Sequence, residues 1–204
     1  MRGHLSSELN EKVVVLTLLQ DDETGDIAWA PARPRWASVE LEPGRNLYSA
    51  VGMGAQGATI RMRPDARLSL HHALEWRGQF LHLTSSYLDR EKGCLEVKAA
   101  LCVVETMVAR ERMAMERDEL NRPVVKEQKA FHFPGILAEL WHRSEDDGAN
   151  RSQTTRRALV TPKAVTLRAG DLVERSDKTV WSVVRVLDLE PHKNEYVIEH
   201  QEDV

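Results

Sequence analysis

A short β unit occurs twice in this chain, about a hundred residues apart, and this repeat constrains the fold more than any other feature. In the first copy a predicted strand at 58–64 ends in proline, and in the second a predicted strand at 157–162 does the same. In each copy a Leu-Asp pair, at 88–89 or 187–188, closes the next-to-last strand before a charged turn. A repeat of this length is too long for a solenoid. It therefore predicts two tandem domains.

Alternation of apolar and polar residues, which is typical of strands, runs through both copies. In the first copy it predicts strands at 35–41, 58–64, 74–83 and 95–101, and the apolar, β-branched run at 13–19 predicts a buried strand. In the second copy it predicts strands at 136–140, 157–162, 165–167, 180–186 and 196–198, with no equivalent of the strand that carries Trp36. Small sheets with this number of strands form barrels or sandwiches.

The stretch between the two copies has a different pattern. From 104 to about 120, Glu, Arg and Met dominate, and Val104, Met107 and Val108 fall near helical spacing. This predicts a helix that stops before Pro123, followed by an extended linker. The predicted fold class is all-β, with two tandem small β-barrels joined by a helix and an extended linker. The predicted domains are a first barrel at 1–103, the helix and linker at 104–132, and a smaller second barrel at 133–204.

Charge and cysteine content narrow the function class. The formal net charge is −4, whereas proteins that grip nucleic acid are usually strongly basic. Cys94 and Cys102 lie on one predicted strand, roughly 26 Å apart, too far to form a disulfide. Two reduced thiols predict a protein made in a cytoplasm. The longest apolar run, 13–19, is too short to span a membrane, so no membrane association is predicted.

No residue pattern predicts catalysis, so we expect neither an enzyme nor a cofactor. The serines lie outside any nucleophile-elbow context, and the Gly-rich run at 52–57 follows a predicted short helix at 46–53 and lacks a βαβ unit. His71 and His72 are adjacent on a strand, so they point to opposite faces and do not predict a metal site.

The order of pieces in the first copy resembles the head–tail joining, or stopper, family of tailed phages. The resemblance covers about residues 9–103 and rests on segments at 12–19, 36–40, 43–50, 59–64 and 76–83. Family members show a Trp-Ala-X-Val strand, then Gly-Arg-Glu before a short helix, then an Ile-X-X-Arg strand. This chain has Asn46 where the acidic residue is usual, and Met62-Arg63 where an aromatic–Arg pair is common.

The resemblance implies a structural protein of the virion neck, assembled in the host cytoplasm. It implies a homo-oligomeric ring, six- or twelve-fold, with portal or adaptor proteins above it and tail-tube or terminator proteins below. Double-stranded DNA would pass through this ring without specific binding. A loop that closes the channel is expected at 42–57, with its candidate residues at Glu42, Gly44, Arg45, Asn46, Gly52, Gly54 and Gly57.

Arginines occupy outward positions on strands of both copies. They predict a ring-subunit interface or a contact with DNA in transit, and an ordinary solvated strand face is an equal interpretation. These arginines are Arg61, Arg63, Arg67, Arg156 and Arg157.

The polar loop at 144–153 is either a flexible linker or a surface that docks a neighbouring ring. Its candidate docking residues are Glu145, Asp146, Asp147 and Arg151.

Two alternative functions stay open. Within the same class, the chain is a tail-side completion or terminator protein. In a different class, it is a tandem β-barrel module that binds nucleic acid or a peptide. Barrels that bind single strands need exposed aromatic residues beside basic grooves. Trp36, Trp76 and Trp181 are all predicted at core positions, which disfavours this second alternative.

Overall fold

The computed structural model describes residues 9–45, 56–110, 116–117, 123–124, 130–139, 154–188 and 190–201. All regular secondary structure in these residues is strand, so the predicted all-β class is confirmed. Within the same residues, no helix is long and apolar enough to cross a membrane. The chain divides into two compact units. Unit 1 comprises the described parts of Met1–Leu19, Ala28–Val104 and Ile136–Ala138, and unit 2 those of Gln20–Ile27, Glu105–Gly135 and Glu139–Val204.

Six strands of the first half close into a barrel. They are β1 (Glu11–Gln20), β2 (Ile27–Arg45), β3 (Gln56–Met62), β4 (Ala73–Trp76), β5 (Gln79–Asp89) and β6 (Cys94–Cys102). Their order around the barrel is β1-β2-β3-β6-β5-β4, and antiparallel pairing of β4 with β1 closes it. Alternate residues of each strand point inward and form one apolar core. This core includes Val13, Val15, Ala37, Ile60, Met62, Leu74, Leu81, Leu83 and Val97.

A second closed barrel follows in the chain. Its strands are β7 (Glu105–Arg110), β10 (Ala130–Glu139), β11 (Thr154–Pro162), β12 (Leu172–Glu174), β13 (Val180–Leu187) and β14 (Lys193–Gln201). Two short strands, β8 (Glu116–Arg117) and β9 (Pro123–Val124), pair with each other in the connection between β7 and β10. The buried side chains of unit 2 include Met107, Ala109, Phe133, Leu159, Val173, Trp181, Val183, Tyr196 and Ile198.

The two barrels have the same strand order. When the strands of each barrel are numbered in chain order, their order around the barrel is first, second, third, sixth, fifth, fourth in both cases. Each fifth strand also carries a register shift at the equivalent place, between Leu83 and Ser85 in β5 and between Val183 and Arg185 in β13. A β-bulge at this position bends the strand and increases its twist. The repeat predicted from the sequence is therefore a repeat of topology and of a local irregularity.

A charged pair joins the first and fourth strands of each barrel. Glu11, the first residue of β1, binds Arg77, which directly follows β4, with a carboxylate–guanidinium distance of 2.6 Å. Glu105, the first residue of β7, binds Arg175, which directly follows β12, through two hydrogen bonds of 3.0 Å each. These pairs lie where the fourth strand closes the barrel onto the first. They are a second feature that the two copies share.

The predicted helix after residue 104 is wrong, because that stretch supplies strand β7. Met107 and Ala109 are fully buried, whereas Thr106 and Arg110 are exposed, which is the period of a strand. β7 pairs with both β10 and β12 and so completes the second barrel. The second copy consequently has six strands, and β10 takes the place that the Trp36 strand, β2, has in the first.

The stretch 74–83, predicted as one strand, is a hairpin. β4 ends at Trp76 and β5 begins at Gln79, so Arg77 and Gly78 form a two-residue turn. Both turn residues have positive φ, 52° and 74°. That conformation is typical of the tight hairpin turn whose twist fits the flanking strands.

Candidate functional site

A cleft of about 420 Å³ opens on the surface of unit 1. It combines one large aromatic side chain, two arginines and two apolar residues. The residues that line it are Leu9, Pro34, Arg35, Trp36 and Arg63. Trp36 is 62% exposed, the most exposed tryptophan among the described residues. Exposed large aromatic side chains beside cations are characteristic of binding surfaces.

The exposure of Trp36 follows from the register of β2. Ala37 is opposite Met62 in β3, and Val39 is opposite Ile60, so these alternate positions of β2 face the core. A strand turns successive side chains to opposite faces, which places Trp36 outside. The prediction that Trp36 lies in the core is therefore wrong, while Trp76 and Trp181 are buried as predicted.

A buried carboxylate, Asp65, organises the arginines behind the cleft. Its side chain is only 5% exposed and accepts hydrogen bonds from Arg33, at 3.0 Å from Nη2 and 3.2 Å from Nε. The Arg67 amide donates to its other oxygen at 3.0 Å, and the Arg35 guanidinium lies 3.8 Å away. Desolvation alone would raise the pKa of Asp65, but these donors and cations outweigh it and hold that pKa below its ordinary value.

The arginines of this region carry more charge than Asp65 neutralises. Arg33, Arg35 and Arg67 all approach the same carboxylate. Arg35 additionally donates from Nη2 to the Arg63 carbonyl at 3.1 Å, which fixes its guanidinium at the cleft. Among the described residues the Arg63 side chain, which is exposed, has no acidic partner within ion-pair distance. Counted over the described residues, the cleft therefore has a positive surplus, in a chain whose net charge is −4.

The five arginines predicted from the sequence have different partners. Arg63 lines the cleft, and Arg67 lies behind it on Asp65. Arg61 instead binds Glu96 at 2.9 Å and Glu40 at 3.2 Å. The last two belong to unit 2. There Arg156 pairs with Glu199 at 3.0 Å, and the Arg157 guanidinium lies 5.6 Å from the centre of the Trp181 ring.

The Arg61 pair belongs to a network on the barrel wall that is centred on one buried carboxylate, Glu96. Glu96 is 6% exposed and accepts a hydrogen bond of 2.7 Å from the Tyr87 hydroxyl. That bond, together with Arg61, holds the pKa of Glu96 below its usual range against the opposing effect of burial. Hydrogen bonding to Glu96 in turn raises the pKa of Arg61 and of Tyr87. Because Arg61 is bonded to two carboxylates, this network stabilises the wall and leaves the Arg61 guanidinium unavailable to a ligand.

Part of the predicted channel-closing loop lies in the described residues. Glu42 accepts a hydrogen bond from Lys98 at 3.3 Å, and its carbonyl accepts one from Gln56 at 3.2 Å. Gly57 lies against the Glu42 carboxylate, so a Cβ atom there would displace the end of the Glu42 side chain. Gly44 and Arg45 belong to the end of β2. The positions Asn46, Gly52 and Gly54, and the predicted short helix at 46–53, lie outside the described residues.

The candidate docking residues at 145–147 and Arg151 also lie outside the described residues.

Within the described part of the chain, no group of three or more His, Cys, Asp or Glu side chains is arranged to hold a metal ion. Cys94 and Cys102 form no disulfide with each other, as predicted. Burial raises the pKa of Cys102 to about 11, which makes this thiol a weak nucleophile.

Sequence reasoning missed most of the cleft. It selected Arg63 and Arg67 but not Arg33 or Arg35, and it did not place Asp65 among them. The Arg-Pro-Arg-Trp run at 33–36 was the available signal, because proline in a strand marks a place where regular ladder pairing is interrupted.

Comparison with protein-family models finds no match, and comparison with curated proteins finds none either. Among solved structures, the chain is similar to the solution structure of protein SF1141 from Shigella flexneri 2a. The two share 20% sequence identity with a TM-score of 0.38, and the similarity covers 46% of this chain and 93% of that one.

Proposed function

We propose that this protein is a structural assembly protein that binds other proteins through the Trp36 cleft, and that it serves in the neck of a tailed phage. The observation that supports this most is the exposure of Trp36 between Arg35 and Arg63. Tryptophan and arginine are the residue types that dominate the energetics of protein–protein interfaces. The two six-stranded sheets are closed barrels, so neither offers a partner a free sheet edge to extend, and a partner of either barrel has to contact side chains.

The neck assignment comes from the sequence resemblance of residues 9–103 to the stopper family. In this proposal the protein forms a homo-oligomeric ring between portal or adaptor proteins and tail-tube or terminator proteins. The segment from Glu42 to Gly57, which includes the end of β2 and the start of β3, is the proposed channel-closing loop. A tail-side completion or terminator role differs from this only in position, and a map of the particle would distinguish the two.

The first experiment measures assembly. We expect the full-length protein to form a closed ring, detected by light scattering after size exclusion and by negative-stain microscopy. We also expect antibodies against it to label the head–tail junction of purified particles. Deletion of its gene should give filled heads without attached tails. Particles that lack the protein, or a deletion that leaves tails attached, would disprove the neck role.

A second function is favoured by the same exposed tryptophan. An aromatic side chain beside cations also stacks on nucleotide bases, so a module that binds single-stranded nucleic acid is the alternative. It predicts that labelled oligo-dT binds the protein, that Trp36→Ala abolishes this binding, and that affinity falls steeply with salt. The absence of oligo-dT binding at low salt would remove this alternative.

A further inference from the structure

We propose that the Trp36 cleft accepts an acidic peptide segment of a partner protein, with one bulky apolar side chain against Trp36 and flanking carboxylates on Arg35 and Arg63. This inference rests on the proposed function, since it specifies the chemistry of the protein partner. The observations that carry it are the mixed lining of the cleft and its surplus of positive charge.

The apolar part of the cleft fits a single side chain. Trp36, Pro34 and Leu9 contribute to one lining, and proline and tryptophan lose little conformational entropy when a partner packs on them. The volume of about 420 Å³ lies within the range that ligand pockets in proteins occupy. It is too small for a folded element of a partner but sufficient for a few residues of an extended segment.

Among the described residues, Asp65 is the one acidic side chain near the charged part of the cleft, and several arginines share it. Asp65 is already engaged by Arg33 and by the Arg67 amide, and it lies 3.8 Å from Arg35, beyond hydrogen-bond distance. Arg35 is held at the cleft by its bond to the Arg63 carbonyl. The guanidinium of Arg63 has no acidic partner among the described residues. Carboxylates of a bound peptide would pair with the guanidinium groups of Arg35 and Arg63, because the planar guanidinium fork matches a carboxylate in bidentate geometry.

A nucleic acid fits these observations less well. Binding of single strands uses a basic groove several nucleotides long with successive stacking platforms. Among the described tryptophans Trp76 and Trp181 are buried and Trp29 is half-buried, so the cleft offers one exposed ring. Two cations on a chain of net charge −4 also give little of the electrostatic contribution that phosphate binding needs.

The test uses the full chain and three labelled probes. They are a short peptide of aspartate and glutamate with a central leucine, the same peptide with asparagine and glutamine instead, and oligo-dT of similar length. Binding is followed by fluorescence anisotropy and by the indole signal of Trp36 in a nitrogen–proton NMR spectrum, assigned with Trp36→Phe. We expect only the acidic peptide to bind and to shift the Trp36 signal.

Variants test whether the acidic peptide binds in the cleft. We expect Arg63→Glu and Trp36→Ala to weaken binding of the acidic peptide at least about tenfold. Arg90→Glu makes the same charge change on an exposed turn outside the cleft and should bind as the wild type does. Arg63→Gln is a milder variant that keeps the test valid if Arg63→Glu unfolds, and circular dichroism checks each fold.

Three results would overturn the inference: equal binding of the acidic and amide peptides, binding of oligo-dT alone, or an equal loss in Arg90→Glu. These results leave the neck proposal standing if the protein still labels the head–tail junction. Conversely, peptide binding by a protein absent from particles would support the cleft chemistry and disprove the neck role.

Discussion

At the scale of single residues, Asp65 carries much of the order of the cleft. Its carboxylate is buried and fixes Arg33 together with the amide of Arg67, so the positions of these two residues depend on its charge. Hydrogen bonds to charged groups contribute more than neutral ones, and removal of one member leaves the others unsatisfied. The stability of this region should therefore depend on the ionisation of one side chain.

We expect Asp65→Asn to lower the free energy of unfolding by about 1.5–3 kcal/mol near neutral pH. The pKa of Asp65 is below its ordinary value of 3.8 in the folded protein, so its contribution is complete above that value and is lost as the pH falls through the lower folded one. Wild type and variant should differ at neutral pH and converge in acid. Urea denaturation at several pH values measures this, with the exposed Asp22→Asn as the control. A difference that is constant with pH would contradict the prediction.

At the scale of elements, β7 shows where sequence reasoning fails. Met107 and Val108 are neighbours, and with Val104 they mimic the stripe of an amphipathic helix. In the barrel Met107 is fully buried, while Val108 on the other face is only half-buried. Pairing with β10 and β12, which follow later in the chain, decides that this segment forms a strand and not a helix. Long-range pairing of this kind overrides local pattern, and a single sequence does not reveal it.

The packing of β10 against its neighbours gives the next prediction. A Cβ atom at Gly135 would lie 2.8 Å from Leu159 Cδ1 and 2.9 Å from Met107 Sδ, both on buried side chains. Overpacking of a full core typically costs about 1–3 kcal/mol, so we expect Gly135→Ala to lower the free energy of unfolding by that amount.

Gly57→Ala is the matched control, because its Cβ would meet the carboxylate of Glu42, a half-exposed side chain that can rotate away. Thermal and urea denaturation should show a clear loss for Gly135→Ala and little change for Gly57→Ala. If Gly135→Ala lost as little stability as Gly57→Ala, the Leu159 and Met107 side chains would also adjust freely, and the prediction would be wrong.

The charged pairs that join first and fourth strands give a prediction within each barrel. Glu105 and Arg175 are 25% and 19% exposed and share two hydrogen bonds, whereas Arg77, the partner of Glu11, is 65% exposed. Exposed ion pairs contribute little, because water and salt screen them. We therefore expect Glu105→Gln to cost about 1–2 kcal/mol and Glu11→Gln less than about 1 kcal/mol. Hydrogen exchange of the β7 and β1 amides, respectively, measures each effect locally. A larger loss in Glu11→Gln would reverse this ranking.

At the scale of the whole molecule, the repeat was the part that the sequence predicted best. Turn residues, paired Leu-Asp ends and alternating strands are local signals, and they located β3, β6, β11, β13 and β14. The cleft depends instead on which side chains of β2 point into the barrel. This is set by register, and an error of one residue in register turns every side chain of the strand to the other face. The sequence pattern places Trp36 in the core for that reason, whereas the structure exposes it. The binding surface consequently appeared only with the three-dimensional pairing.

The net charge of the whole chain sets a last prediction for the cleft. A chain of net charge −4 repels an acidic partner at long range, while Arg35 and Arg63 attract it at contact. Salt screens both effects, with a Debye length of about 10 Å at 0.1 M ionic strength. For the wild type the contact attraction dominates, so affinity for the acidic peptide should fall as salt rises. In Arg63→Glu repulsion dominates, so the weak residual affinity should rise with salt. Anisotropy titrations over a salt series measure both slopes, and slopes of the same sign would show that Arg63 does not control the charge of the site.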